Sequence, residues 1–92
     1  MNAALEALKG RFKARCVDDR VALAELVAAG DVTGVRHMAH KLAGAAGTFG
    51  FRPLSEAALL LEDQVADGAR PDPALVGVVD GMLASVSESA TT

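Results

Sequence analysis

Apolar residues recur along this chain at helical spacing, in four runs separated by short turn signals. At about 100° per residue, Leu5, Leu8, Phe12, Cys16, Leu23 and Leu26 fall on one side of the first run. Val35, Met38, Ala39, Leu42, Ala46 and Phe49 do the same in the second run, roughly residues 32 to 49. Leu54, Ala57, Ala58, Leu61 and Val65 line the third, and Leu75, Val79, Met82, Leu83 and Val86 the fourth. Gly30 closes the first run and Asp31 stands ready to cap the second. Gly50 to Pro53 separates the second from the third, and Gly68-Ala69-Arg70-Pro71 ends the third. Asp72-Pro73 then supplies an N-cap and a first-turn proline for the fourth. Asp19 interrupts the first stripe, so the pattern predicts a break at Asp18 or Asp19 and a short extra N-terminal helix before it. The closing SVSESATT reads as a frayed polar tail. Amphipathic helices joined by short loops predict an all-α, antiparallel four-helix bundle over residues 1–87, with a polar tail over 88–92.

Composition narrows the picture without changing it. The 92 residues make one domain with a modest core, too small for an enzyme with its own nucleotide-binding half. Alanine and leucine dominate, Trp and Tyr are absent, and only three Phe occur, which favours helix over sheet. A net charge of −3 speaks against a nucleic-acid partner. Cys16 is the single cysteine, so neither an internal disulfide nor a cysteine-based zinc site is expected. No signal peptide and no apolar run of membrane-spanning length is evident, and the expected location is the cytoplasm.

The second helix carries the candidate chemistry. His40 lies almost opposite its apolar stripe, with Arg36, Gly47, Gly44 and His37 around it, Lys41 further round and Ala43 on the other flank. Gly44 and Gly47 each weaken a helix by about 1 kcal/mol relative to alanine. One purpose for them is a bare face that opens the imidazole to a bulky reactant or to another protein's backbone. The other is close helix–helix packing, which their position opposite the stripe disfavours. Imidazole, with an ordinary pKa of about 6.5, is a nucleophile at neutral pH and is able to carry a phosphoryl group on nitrogen. Phosphoryl transfer asks mainly for positioning and positive charge, which Arg36, Lys41 and Arg52 are available to supply. His40 has no carboxylate three or four residues away on its own helix, which disfavours a self-contained hydrolytic site. The pair His37 and His40 lacks a third metal ligand, because Asp and Glu are absent between Thr33 and Ser55.

The run AHKLAGAAGTFGF, followed by PLSEAALLLED, resembles the histidine-containing phosphotransfer domain of bacterial phosphorelays. Ala39, His40, Leu42, Gly44 and Gly50 stand at places matching that family's pattern, as do Leu54, Ala57, Leu61 and Glu62 in the following helix. The resemblance implies a phosphoryl carrier without kinase activity of its own. His40 would accept a phosphoryl group from a receiver-domain aspartyl phosphate and pass it to another receiver. It further implies response-regulator receivers, and a hybrid histidine kinase, as partners. The Mg²⁺ would sit on the receiver, with no cofactor on this chain, which is expected to be a monomer. One departure matters: the family's lysine three residues after the histidine is replaced by Ala43, leaving Lys41, Arg36 or the receiver to provide the charge.

Two other readings stay open. A kinase dimerisation domain would need two chains and usually an acidic residue after the histidine, where Lys41 stands. An interaction module of the same fold, binding receivers or kinases without transfer, draws weight from Ala43. For partner docking, the first helix offers a second apolar row of Val17, Val21, Ala24 and Ala28, expected to border His40. Packing of that row on the fourth helix is the alternative.

Overall fold

The computed structural model describes residues 3–89. It contains four helices, α1 (Ala3–Ala28), α2 (Val32–Thr48), α3 (Arg52–Gln64) and α4 (Pro73–Glu88), and no strand among the described residues. The punctuation in the sequence explains where they stop. Gly30 and Gly50 adopt φ of +69° and +83°, left-handed conformations that end α1 and α2 and that a side chain would disfavour. The Asp31 carboxylate accepts a hydrogen bond from the Gly34 N–H, and Asp72 accepts one from Ala74 N–H, capping α2 and α4. Between α3 and α4 the Gln64 amide donates to the Arg70 carbonyl and accepts from the Asp72 N–H, which fixes the turn.

Each helix packs on its neighbours in the chain, and α4 closes on α1. The core is wholly apolar among the described residues, built on Phe12, Cys16, Leu23, Val35, Leu42, Leu54, Leu61, Val79 and Leu83. Phe12 also stacks on Phe51 and tilts against Phe49, with ring centroids 5.6 and 5.5 Å away. Those contacts tie α1 to the α2–α3 turn. The Cys16 thiol is fully buried, and burial with the nearby Asp19 charge pushes its pKa up to about 11. It is an inert core residue. On the flank of α1 that faces α4, Arg20 donates Nε and Nη2 to the two Asp80 oxygens at 2.9 and 3.1 Å. That bond holds the Asp80 carboxyl below its ordinary pKa. The support it gives is therefore present at neutral pH and is lost as pH falls through the lowered value.

Three expectations from the pattern are corrected. α1 is unbroken through Asp18 and Asp19, so there is no extra N-terminal helix. No Gly or Pro stands there, and Leu23 and Leu26 resume the stripe in phase, so packing carries the helix through. Leu5 and Leu8 do not join the core, being 45% and 47% exposed. α1 has 26 residues, about 39 Å of helix, against 13 to 17 in the others, and its first turns outrun the packing surface. SVSE is not tail but the last turn of α4, anchored by the buried Val86, while residues 90–92 of the expected tail lie outside the described residues.

Close packing singles out a glycine that the pattern did not. A Cβ on Gly34 would lie 2.6 Å from Asp31 Oδ2 and 2.7 Å from Leu26 Cδ2, whereas one on Gly44 would meet nothing within 4 Å. Gly34→Val should therefore displace the cap carboxylate and the Leu26 side chain, lowering unfolding stability by about 1–3 kcal/mol. Gly44→Ala should raise it by up to about 1 kcal/mol. Urea unfolding of both variants checks the contrast.

Candidate functional site

α2 turns its buried residues Val35, Ala39, Leu42, Ala43 and Ala46 inward and leaves His40 on the outer ridge. The His40 side chain is 71% exposed. Its Nδ1 lies 2.9 Å from Oε2 of Glu62 on α3, whose side chain is only 20% exposed. A carboxylate accepts only, so the ring nitrogen facing it carries the proton, and the lone pair is left on Nε2. The geometry thus leaves one ring nitrogen with its lone pair open to solvent and fixes the other. The orienting carboxylate absent from α2 comes from a helix 22 residues away in sequence.

Glu62 reaches His40 because α2 and α3 share the most extensive of the helix interfaces, a seam of small residues. Ala43 and Ala46 of α2, with Ala57 and Ala58 of α3, are all buried. The Ser55 hydroxyl donates to the Ala43 carbonyl at 2.8 Å, pinning the same seam one turn beyond His40. Ala43 is therefore not an open flank of the histidine but part of the interface, 5% exposed. The wheel gave its angle to His40 correctly; only the position of α3 decides that this flank is covered.

Two grooves flank the histidine. The α3-side groove, about 340 Å³, is lined by Thr33, Arg36, His37, His40 and Glu62. The α1-side groove, about 720 Å³, has an apolar floor that includes Phe12, Leu26, Met38 and Leu42. Its rim carries Arg15 and Asp19 of α1 and His37, Lys41 and Gly44 of α2, beside His40. Arg36 and Lys41 thus stand on opposite sides of the ring. Gly44 faces open space, and a Cβ on Gly47 would make an ordinary 3.4 Å contact with Ser55 Oγ, so neither glycine serves a close helix approach. Exposure alone does not mark them, since Gly10, Gly77 and Gly81 are as open as Gly44; their place beside His40 does.

The second apolar row of α1 does not border His40. Val17, Val21 and Ala24 line a groove with Arg20, Asp80 and Ser87 on the α4 side, and Ala28 lies at the α1–α2 turn near Arg70 and Pro71. On a helix these positions stand about 140–180° from Asp19, so an unbroken α1 cannot turn both toward α2. The residues that α1 does bring to His40, Arg15 and Asp19, were not singled out as site residues. For Asp19 the available signal is the interruption of the apolar stripe; Arg15 carries none. Among the described residues no three His, Cys, Asp or Glu side chains gather as a metal ion would need, and no helix is long and apolar enough to cross a membrane.

Comparison with known proteins adds one firm result. The family model of the Hpt domain matches residues 7–89, a span that takes in most of α1, all of α2, α3 and α4, and both His40 and Glu62. Comparisons with curated proteins and with solved structures give no match. A match over nearly the whole chain, with an exposed and oriented histidine on α2, makes this protein a member of the Hpt domain family, whose role is phosphotransfer in phosphorelays.

Proposed function

We propose that the chain is a phosphoryl carrier between receiver domains, with Nε2 of His40 as the acceptor atom. The observation that carries this reading is the 2.9 Å bond from Nδ1 to Glu62 on an otherwise exposed ring. The Nε2 lone pair attacks phosphorus of an aspartyl phosphate on a receiver. The N–P bond forms as the P–O bond to the aspartyl group breaks, and the receiver carboxylate leaves with the electron pair. The ring gains positive charge in this step, and the Glu62 carboxylate on Nδ1–H offsets it. Return to a second receiver reverses the same bonds.

The remaining roles follow from place. Arg36 on one side and Lys41 on the other supply positive charge for the phosphoryl oxygens, taking over what the family's lysine would give at the buried position Ala43. Gly44 and Gly47 keep the face of α2 bare so that the aspartyl phosphate of a folded domain reaches Nε2. Mg²⁺ enters on the receiver, and this chain brings the imidazole and the docking surface.

The direct test mixes the chain with a receiver charged from radiolabelled acetyl phosphate. Acid-labile, base-stable label should appear on the wild-type chain and be absent from His40→Gln. A wild-type chain that takes no label from any receiver, and none from phosphoramidate, would reduce it to a binding module.

Two further outcomes are expected. Glu62→Gln should slow transfer about tenfold, consistent with loss of a charged hydrogen bond worth about 1.5–3 kcal/mol, partly screened here by solvent. Circular dichroism should show its helix content unchanged, and a rate equal to wild type would remove Glu62 from the mechanism. Gly44→Leu should fold and melt at or above the wild-type temperature, because the site has open space. It should nevertheless block transfer from a receiver while phosphoramidate still labels His40, since only the large donor is excluded. Normal transfer from the receiver would defeat the steric role of the glycine.

A further inference from the structure

Asp19 is a carboxylate in the wrong company. It stands in the apolar stripe of α1 between the buried Cys16 and Leu23, and it caps nothing, because α1 runs through it unbroken. It makes no hydrogen bond and no ion pair within 4 Å among the described residues, although Arg15 and Lys41 are near enough to act on its charge. Burial raises its pKa, with Asp18 adding to that and Arg15 and Lys41 opposing it, so its charged form is under-compensated in the free protein. An apolar residue at this position would complete the stripe and leave the fold more stable. Its place is the rim of the 720 Å³ groove that also contains His40, Lys41 and Gly44.

Resting on the transfer reading above, we propose that Asp19 is a specificity residue: it receives a lysine or arginine from a helix of the receiver that docks in the groove between α1 and α2. Charge complementarity selects this occupant. The rim presents Arg15, Asp19 and Lys41, positive, negative and positive, above a floor of Phe12, Leu26, Met38 and Leu42. The matching surface is an amphipathic helix with apolar residues toward the floor and one cation flanked by acidic side chains. A charge pair completed only on docking, in a groove that the partner dries, discriminates partners more than it adds affinity. The groove opens at His40, so a domain seated there lies directly against the imidazole.

The test uses the full chain and a panel of purified receiver domains charged with acetyl phosphate. The best donor is then compared on wild type, Asp19→Asn and Asp19→Lys. The expected result is a KM raised about tenfold in Asp19→Asn and further in Asp19→Lys, with kcat little altered, the size of one desolvated charge pair. Replacing the receiver helix's cation by glutamate should restore transfer to Asp19→Lys and not to wild type. Asp19→Leu should melt above wild type, whereas a structural role for the carboxylate would lower the melting temperature. Wild-type KM in both Asp19→Asn and Asp19→Lys, with wild type labelled normally, would overturn this proposal and leave the transfer reading intact. No label on wild type from any receiver would overturn the transfer reading itself.

Discussion

The hydrogen bond between His40 and Glu62 is the constraint on which the site depends, and it is a property of the α2–α3 seam rather than of either helix. An exposed imidazole on an isolated helix would rotate freely and exchange its proton between both nitrogens. Held at Nδ1 by a mostly covered carboxylate, it offers one lone pair in one direction. That hold requires α3 to lie close and in register, which the alanines at 43, 46, 57 and 58 permit and the Ser55 bond to the Ala43 carbonyl fixes. A lysine at position 43 would have to leave this seam past its neighbours to reach solvent. The substitution that looked like a missing catalytic charge is thus compatible with a tight interface, and the charge is available from residues on the open sides of His40.

Local chemistry was legible in the sequence, and tertiary choices were not. The caps at Asp31 and Asp72, the stops at Gly30 and Gly50, and the inward faces of α2 and α3 are set by near neighbours, and each stands where the pattern put it. Asp19 was noticed and misread, because a charge in an apolar stripe has the local look of a helix start. Only the groove between α1 and α2 gives it another setting. Glu62 was visible as part of a family signature, yet its partner was not. A contact across 22 residues depends on which edge of α3 faces α2, and a helical wheel does not contain that fact. The same limit explains Ala43 and the row of Val21 and Ala24: a wheel gives angles within one helix and says nothing of where its neighbours stand.

The energetic division of the molecule follows from these placements. No buried polar side chain occurs among the described residues, so cohesion comes from apolar packing, with Arg20 and Asp80 adding an exposed tie between α1 and α4. The face around His40 contributes little to that cohesion. Gly44 costs helix stability, Asp19 sits under-compensated, and the groove floor leaves apolar side chains in contact with water. Local losses gathered on one face, in a fold whose core is otherwise consistent, are the pattern expected where function has been favoured over stability.

The two flanks of His40 also differ in kind. The α3 flank is narrow and bonded, and it fixes the ring through Glu62 and the backbone through Ser55. The α1 flank is wide, apolar in its floor and charged at its rim. On the proposed reading, orientation of the nucleophile and recognition of the partner therefore rest on different helices. Arg15 and Asp19 line the groove without bonding the ring, whereas Glu62 bonds the ring and does not line that groove. On the proposed reading, a carrier that meets more than one receiver gains from that separation, because one fixed imidazole then serves every surface that docks beside it.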